Sequence, residues 1–555
     1  MKTKLFLLTA FVFCAVKANA DIQYSGTCGE HVTWRINTFI PDDYNPYPPQ
    51  YNNGDTLYIE GYGEMTDCSD YYSAPWNNPY NHYYNIKYIS IQEGVTSIGK
   101  YAFANMGENG SGIYVTIPNT VTSIGNSAFT QSYIAEINIP NSVTTIGKYA
   151  FHGCQLYSID IPSSVTDIGT GAFRYCPGLH SFNVAEDNPN YSSPNGLLCN
   201  KEQTILIQCP ADMYESEFSF PNTITTIGRY AFSGCSHNNI TIPNSVTTIE
   251  DYAFSSCENL QSISIPASVT SIGKCAFDRC SYMQSIDVAS GNPNYSSISG
   301  VLFNKTQDTL LEYPEGRRGA YSVPDGVTTI VNEAFHFCQN LTAITFPNSI
   351  TDIGVSAFYY CTSLVSVTIP DGVTTIKRSS FGDCKNLSFV TIGKNVKTIE
   401  YYAFAGSYAL RDVVIPEGVK TIGNSAFAGY NLNSVTIPGS VDSIGHLAFE
   451  SDHLEAVYNY STMPLTITRD VFCHDDSFGD EITGTLYVPE ESIALYQAAD
   501  VWKEFNPILP LPKKEAINNI HSEEKPNKTT KKIVNGQVFI LRGDKTYTLQ
   551  GQEIK

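Results

Sequence analysis

Cysteine and histidine are the residues of this sequence that could hold a metal, form a disulfide or act in catalysis. The chain has 15 cysteines and 10 histidines. No set of histidines has the spacing typical of a zinc site, and no hydrolase or nucleotide-binding motif occurs. Cys473 and His474 precede two aspartates, and we interpret this cluster as an acidic loop because no further ligand lies near in sequence. We therefore predict no catalytic residue, no metal site, no cofactor and no enzymatic activity.

The cysteines follow a positional rule. Eight of them lie three residues after a recurring phenylalanine: Cys154, Cys176, Cys235, Cys257, Cys280, Cys338, Cys361 and Cys384. The same position holds Met106, Ser132, Ser407, Tyr430 or Asp452 in other repeats. The eight cysteines form runs of two, three and three, and a run of three cannot pair completely. A buried thiol behaves as a small apolar group with a weak donor, so we predict an inward ladder of free thiols, with disulfides or metal binding as the alternatives.

The phenylalanine from which these positions are counted belongs to a sequence repeat. Between Ile91 and Phe449 the pattern Ile-Pro-x-x-Val-Thr-x-Ile-Gly-x-x-Ala-Phe occurs in 13 versions, and Ile139–Phe151 is a clear copy. Adjacent copies are 22 or 23 residues apart. A fixed period in this range indicates a solenoid, because one unit cannot bury its own apolar side and must stack on its neighbours. We predict a β-rich solenoid of short parallel strands.

Each repeat places polar side chains on one outer face. The segment Leu364–Pro370 alternates apolar and polar residues, which predicts a strand whose Val367 and Ile369 point inward and which ends at the proline. The outward positions of such strands form a serine and threonine ladder that we predict as a binding row. Its members are Ser264, Thr345, Thr368, Thr391 and Thr436.

Two insertions interrupt the period, near residues 185–219 and 288–322. They resemble each other, because Asn188–Ser193 and Asn292–Ser297 both read Asn-Pro-Asn-Tyr-Ser-Ser, and Thr204 aligns with Thr309. Each insertion predicts a β-hairpin. The hairpin is either a protruding loop that carries binding or a packed variant of the repeat.

The remaining segments predict export and capping. Residues 1–20 combine a basic start, a short apolar run and a small-residue ending, which is typical of a cleaved signal peptide, and no later segment is long and apolar enough to span a membrane. Exported chains rich in cysteine form disulfides, and Cys28 with Cys68 is the pair for which we predict one. The solenoid is predicted over residues 91–458. Its caps are predicted at 21–90 and 459–511, followed by a linker at 512–531 and a patterned tail at 532–555.

The net charge excludes one class of partner. The formal charge is −21, from 54 acidic and 33 basic residues. Such a surface repels a phosphate backbone, so we predict that nucleic acid is not a partner.

The recurring Ile-Pro, Ile-Gly and Ala-Phe elements closely resemble the BspA-type (Treponema-type) leucine-rich repeats of bacterial surface proteins. The segment Ser25–Trp34 with Ala74–Trp76 resembles the N-terminal cap of that family. The last 25 residues resemble the C-terminal tails that serve as type IX secretion signals in the Bacteroidetes. The resemblance implies a right-handed leucine-rich-repeat-type stack of short parallel strands, with short helical turns and a cap at each end.

The resemblance also implies a function. Members of the family display the solenoid on the cell surface and adhere to host matrix, other cells or glycans. We therefore predict a secreted or cell-surface adhesion protein with an extracellular protein or glycan ligand. The alternative is a structural scaffold of the outer surface that has no soluble ligand.

Overall fold

The computed structural model describes residues 25–37, 55–76, 86–107, 112–213, 219–429, 431–473 and 482–512, and the backbone of four strands beyond residue 528. The predicted signal peptide and most of the predicted linker lie outside these residues. The chain is a parallel β-solenoid of about 18 turns with very little helix, so the predicted fold class is confirmed.

Most turns of the solenoid contribute two strands, which we name strand A and strand B. Strand A precedes the repeat proline, which has no N–H for the ladder and ends the strand. The A strands are Ile86–Ile91, Ile113–Thr116, Ile134–Ile137, Ser158–Ile161, Ser181–Val184, Asn239–Thr241, Ser262–Ile265, Ser285–Val288, Gly319–Ser322, Leu341–Thr345, Ser366–Thr368, Phe389–Thr391, Asp412–Val414, Ser434–Ile437 and Ala456–Asn459.

Strand B holds a β-branched pair that suits a half-buried pleated surface, most often Thr-Ile. The B strands are Gly63–Glu64, Val95–Ile98, Ser123–Ile124, Thr145–Ile146, Asp167–Ile168, Thr226–Ile227, Thr248–Ile249, Ser271–Ile272, Thr329–Ile330, Asp352–Ile353, Thr375–Ile376, Thr398–Ile399, Thr421–Ile422 and Ser443–Ile444. Paired copies are parallel and in register, as in Ile146 with Ile124 and with Ile168.

The Ala-Phe corners are hydrogen-bonded turns. The Phe129 N–H donates to the Ala150 carbonyl one repeat on, at 2.8 Å. The described helices are short and lie elsewhere: Pro194–Gly196, Arg469–Val471, Glu490–Ser492, Ile493–Ala498 and Trp502–Glu504. Within the described residues, none of them has the length and apolarity needed to cross a membrane.

The repeat phenylalanines stack through the interior. Phe129 and Phe151 are typical, with ring centroids 5.3 Å apart and an interplanar angle of 5°. Three stacks run through the chain, over Phe103–Phe173, Phe232–Phe277 and Tyr313–Phe472. The breaks between them fall at the two insertions.

Each insertion forms an antiparallel hairpin whose last strand enters the B sheet, and we name these units the septum hairpins. The first comprises Tyr191–Ser192, Leu198–Asn200 and Ile205–Gln208. The second comprises Tyr295–Ile298, Val301–Asn304 and Thr309–Glu312. Their last strands pair in parallel with the next B strand, with Leu206 opposite Ile227 and Leu310 opposite Ile330. The hairpins are therefore packed variants of the repeat.

The septum hairpins divide the core. Leu198 packs into the apolar cluster that extends from Cys28 to Phe182. Its neighbours Leu197 and Cys199 pack into the next cluster, which runs to Ile286. At the second septum hairpin Leu302 joins that middle cluster, whereas Val301 and Phe303 join the last one, which extends to Phe505. The molecule thus has three apolar blocks separated by two hairpins.

The structure aligns the two insertions with each other differently from the sequence analysis. Ile205 and Thr309 occupy equivalent positions, because they pair with Thr226 and Thr329 of the following B strands. The alignment of Thr204 with Thr309 is therefore wrong by one residue. The two insertions have the same length from Asn188 and Asn292 to their last strands, so Asp308 is the counterpart of Thr204 and Tyr313 is the counterpart of Cys209.

Buried asparagines attach the septum hairpins to the turn before them. Asn292 is fully buried and donates to the Pro266 and Val269 carbonyls at 2.9 and 2.8 Å. Asn188 makes the equivalent pair of bonds in the first insertion. The hydroxyl of Tyr295 accepts the Ile272 N–H at 2.9 Å and so satisfies the open edge of the B sheet.

The N-terminal cap is an antiparallel sheet of Ser25–Thr27, Val32–Asn37 and Asp55–Gly61 that continues in parallel into the A sheet. Trp76 covers the first repeat phenylalanine, Phe103, at 5.5 Å. At the other end Thr485–Val488 and Ile508–Pro510 extend the A sheet, and Trp502 closes the stack edge-on against Phe472. Both ends of the core are thus covered by large aromatic side chains.

The tail forms a separate antiparallel sheet of Thr529–Val534, Gln537–Arg542, Lys545–Tyr547 and Glu553–Ile554. Its first strand begins at Thr529, inside the segment predicted as linker. The patterned unit is therefore a few residues longer than the predicted tail.

Candidate binding surface

The outward positions of the last nine A-face strands are equivalent positions of successive repeats, and we name them the outer strand row. Its members are Ser322, Thr345, Thr368, Thr391, Val414, Thr436, Tyr458, Tyr487 and Leu509. Their strands form three hydrogen-bonded groups, which carry Ser322 to Thr345, Thr368 to Thr391 and Val414 to Leu509. At about 4.8 Å between strands, the row is about 40 Å long.

Four of the five predicted row residues lie in this surface. Thr368 and Thr391 are direct partners on adjacent strands, and Thr345 precedes them. Thr436 lies between Val414 and Tyr458. Ser264 is not with them, because it belongs to the middle block, where it lies between Thr241 and Asp287. The second septum hairpin interrupts the predicted row at that point.

The hydroxyls of the row differ from other repeat hydroxyls in their hydrogen bonding. Thr144 and Thr351, which precede B strands, donate to backbone carbonyls one turn upstream at 3.2 and 3.3 Å. Among the described residues, the hydroxyls of Thr345, Thr368 and Thr391 have no hydrogen bond to a backbone carbonyl. All three residues are exposed. The row hydroxyls are therefore available to a ligand.

Large apolar side chains flank these hydroxyls. Phe389 lies two residues before Thr391 on the same outer face and is 71% exposed, and Val414 is 51% exposed. Tyr458 and Tyr487 stack in the row itself with ring centroids 4.8 Å apart. Exposed apolar groups gathered on one face are typical of interaction surfaces. The strand alternation that indicated the hydroxyls also places Phe389 outward, two residues before Thr391, but the sequence analysis did not single it out.

A groove of about 420 Å³ lies along the turn corners of the last block, lined by Tyr359, Asp383, Tyr401 and Tyr402 among others. A hydrogen bond with Asp383, together with burial, raises the pKa of Tyr359 to about 12. Tyr401 and Tyr402 meet edge-on at 3.9 Å. The groove thus combines aromatic side chains with a carboxylate, as ligand-binding clefts commonly do.

The repeat cysteines form the predicted inward ladder. All eight are buried and carry free thiols. Most donate to the carbonyl of the preceding repeat phenylalanine, as Cys257 does to Phe232 at 3.0 Å. Burial raises the pKa of Cys176 and of Cys384 to about 12, so these thiols are protonated at neutral pH. Ser132 makes the same bond to Phe103, which explains why serine replaces cysteine at this position.

Cys28 and Cys68 lie together in the N-terminal cap as free thiols. Burial, followed by the charge of Cys68, raises the pKa of Cys28 to about 12. The disulfide between them stays a prediction.

One cluster with metal-binding chemistry was not predicted. The ligand atoms of Cys209, Cys235 and His237 lie within 4.8 Å of one another, and all three residues are buried. Sequence analysis missed it because Cys209 and Cys235 are separated by 26 residues that span the end of an insertion. The neighbouring Cys235 and His237 were the available signal, since no other ladder cysteine has a histidine two residues later.

Comparison with models of protein families gives one match. The BspA type leucine-rich repeat region matches in six copies over residues 108–195, 210–316 and 321–473, which is more than half of the chain. No curated protein matches the chain.

Three solved structures are similar to it. A leucine-rich repeat protein from Eubacterium ventriosum is 26% identical over 73% of this chain and 94% of that chain, with a TM-score of 0.40. The pneumococcal vaccine antigen PcpA is 18% identical over 88% and 98%, with a TM-score of 0.38. A leucine-rich cell surface protein from Faecalibacterium prausnitzii is 23% identical over 79% and 95%, with a TM-score of 0.37.

Proposed function

The chain belongs to the BspA-type leucine-rich repeat family, and from that premise we propose that it is an exported, non-enzymatic surface protein that binds an extracellular protein or glycan along the outer strand row. The observation that carries the proposal is the coincidence of unpartnered hydroxyls and exposed apolar side chains on one face. Thr368 and Thr391 supply hydrogen-bonding groups beside Phe389 and Val414.

The geometry of the row suits an extended ligand. Strands repeat at about 4.8 Å, so the same groups recur along the solenoid axis at a fixed interval. Many modest contacts along a rigid array add up to useful affinity without a deep pocket, because the array itself loses little freedom on binding. A protein strand or a glycan chain with a regular repeat fits this arrangement.

The alternative is a scaffold that holds its neighbours on the outer surface and has no soluble ligand. It would use the same stack for contacts between copies. Binding to soluble probes separates the two, because a scaffold gives no saturable signal with matrix proteins or glycans.

We expect Phe389→Ala to weaken ligand binding about thirtyfold, equivalent to about 2 kcal/mol, because it removes the most exposed aromatic group beside the row. The measurement is screening of the chain from residue 21 onwards against matrix proteins and glycans, followed by a titration of the best ligand. The matched control is Tyr282→Ala, which removes an aromatic side chain that is 62% exposed in the middle block.

Equal loss of affinity in Phe389→Ala and Tyr282→Ala would contradict the assignment to the row. A loss caused instead by Tyr402→Ala would move the site to the groove at the turn corners. Absence of any ligand at micromolar concentration would favour the scaffold.

For delivery, we propose that the tail sheet from Thr529 is a sorting signal for the outer membrane, read after the signal peptide has directed the chain across the inner membrane. Removal of residues 529–555 should leave the solenoid folded and trap the protein in the periplasm. Cell fractionation and surface labelling provide the measurement. Fusion of the same residues to a soluble reporter is the converse experiment, and it should bring the reporter to the surface.

Unchanged surface display of the truncated protein would refute the sorting role. Loss of folding on truncation would instead show that the tail is a docked part of the C-terminal cap.

A further inference from the structure

Three metal-binding side chains converge where the first septum hairpin meets the repeat that follows it. Cys209 follows the strand Ile205–Gln208, Cys235 occupies the ladder position of the next corner, and His237 lies two residues later. The Sγ atoms of Cys209 and Cys235 are 3.6 Å apart, and Cys235 Sγ is 3.3 Å from His237 Nδ1. The three residues are 1–2% exposed.

These separations match the edges of a zinc coordination tetrahedron. With metal–sulfur bonds of about 2.3 Å and metal–nitrogen bonds of about 2.0 Å, tetrahedral geometry places two sulfurs about 3.8 Å apart and a sulfur and a nitrogen about 3.5 Å apart. A fourth donor is also in place, because the Pro210 carbonyl oxygen lies 3.5 Å from each of the two Sγ atoms.

We propose that Cys209, Cys235 and His237 bind one zinc-class divalent cation, with the Pro210 carbonyl at the fourth position. On binding, each thiol loses its S–H proton to solvent and the dication takes the place of both protons. The buried site is therefore neutral before and after binding. A donor set of soft sulfur and imidazole binds zinc in preference to magnesium or calcium.

The backbone holds the donors in place without help from the cation. The Cys209 N–H donates to the Ala231 carbonyl at 2.6 Å, and the Ser236 N–H donates to the Ala211 carbonyl at 2.9 Å. These two bonds fasten the segment after the hairpin to the corner that carries Cys235. Such preorganisation lowers the cost of gathering the ligands.

The second insertion shows that the fold does not need this trio. Tyr313 there makes the bond equivalent to that of Cys209, from its N–H to the Ala334 carbonyl at 2.8 Å. Asn340 stands at the place that corresponds to His237, and only Cys338 keeps its sulfur. Two ligands are thus absent together from a septum hairpin of the same construction. Packing requirements shared by the two insertions do not account for a buried histidine beside two thiols.

The contacts of Cys235 also differ from those of the other ladder cysteines. Cys257, one repeat on, donates to a phenylalanine carbonyl, whereas Cys235 faces the Cys209 sulfur, the Pro210 oxygen and His237. The alternative is a disulfide between Cys209 and Cys235, which an oxidising compartment would favour. The imidazole 3.3 Å from Cys235 Sγ favours the metal, because a disulfide makes no use of a third ligand.

The test is a titration of the full chain, reduced and treated with chelator, with Co²⁺. We expect one Co²⁺ per chain, a thiolate-to-cobalt charge-transfer band in the near ultraviolet, and displacement by Zn²⁺. Cys209→Ser and Cys235→Ser should lose the band. The matched control is Cys257→Ser, which removes a fully buried ladder thiol that donates to the Phe232 carbonyl and lies outside the trio, so this variant should keep the band.

A further variant guards against misfolding. Cys209→Tyr with His237→Asn copies the residues of the second insertion, so it should fold and still lose the band. A band that survives this pair, or that disappears in Cys257→Ser, would overturn the proposal. So would the absence of a stoichiometric band in the wild-type chain, or a Cys209–Cys235 disulfide without metal in the protein recovered from the exporting cell.

Discussion

Replacement of Phe358 by alanine should destabilise the protein by about 3–5 kcal/mol, the range found for large aromatic side chains removed from a packed core. Phe358 is fully buried and stacks on Phe335 at 4.5 Å and on Phe381 at 5.1 Å. Its loss leaves a cavity in the middle of the longest stack. The backbone ladder on either side prevents collapse of that cavity, because the repeats are held at a fixed spacing.

Urea denaturation followed by circular dichroism measures this loss, and hydrogen exchange locates it. Exchange should accelerate in the block that extends from Val301 to Phe505 and much less in the block from Cys28 to Phe182, because repeat stability is a sum of nearest-neighbour terms. The control is Phe389→Ala at the exposed outer face, which should change stability by less than about 0.5 kcal/mol. A loss below about 1 kcal/mol in Phe358→Ala, or equal acceleration in all blocks, would contradict the stacked-core account.

Stability should also fall by about 2–4 kcal/mol as the pH rises from 5 to 8, in large part because of the buried carboxyl of Glu315 at the second septum hairpin. Glu315 is 4% exposed, and burial followed by the charge of Asp278 raises its pKa to about 8. The surrounding groups are mainly acidic. Glu312 and Glu333 lie nearby. The backbone N–H of Arg279 donates to the Glu315 carboxylate at 2.5 Å, and this bond, with the charge of Arg279, offsets part of the rise in the pKa of Glu315.

The sign follows from proton binding. Glu315 binds its proton up to about pH 8 in the folded chain, but an unfolded chain releases it near 4.5. Between these values the unfolded state binds fewer protons, so the free energy of unfolding decreases as the pH rises. The stabilisation is complete below pH 4.5 and is lost as the pH approaches 8.

Glu315→Gln keeps the shape of the side chain and removes its titration, so stability should depend on pH less steeply in this window. Part of the slope remains, because burial also raises the pKa of Glu312 well above its usual value. Glu417→Gln, at an exposed repeat position, is the control and should retain the wild-type slope. The measurement is chemical denaturation at pH 5, 6, 7 and 8. A wild-type protein that gains stability between pH 5 and 8, or a Glu315→Gln variant with the wild-type slope, would show that another group controls the dependence.

The sequence was sufficient for the solenoid because the information is local and repeated. Proline ends strand A, the Thr-Ile pair forms strand B, and each Ala-Phe corner directs a ring inward. The same argument placed the cysteine ladder, since position relative to the phenylalanine determines whether a side chain faces the core.

The septum hairpins were harder to interpret for a physical reason. Leu197, Leu198 and Cys199 are consecutive apolar residues, and alternation analysis cannot assign two of them to one core and the third to another. A strand buried on both faces has no polar side to reveal its orientation. The apolar triplet was the available signal, because a hairpin that protrudes into solvent would alternate.

The candidate sites depended on contacts that the period does not encode. The hydroxyl row was predictable where strands stack without interruption, and it failed at Ser264, across the second septum hairpin. The trio of Cys209, Cys235 and His237 depends on how the first insertion joins the next repeat, and the segment that joins them is one residue longer than its counterpart after the second insertion.

The division of the core into three blocks has a mechanical consequence. A surface protein that is held at one end and pulled at the other carries the tension through every turn in series. Because each block packs its own core, we expect the blocks separated by the hairpins to yield one at a time. The blocks span residues 28–182, 197–286 and 301–505, so each block that yields releases about 90 residues of chain or more and relaxes the load on the others. We therefore expect the solenoid to extend under load in steps whose lengths are set by the positions of the two insertions.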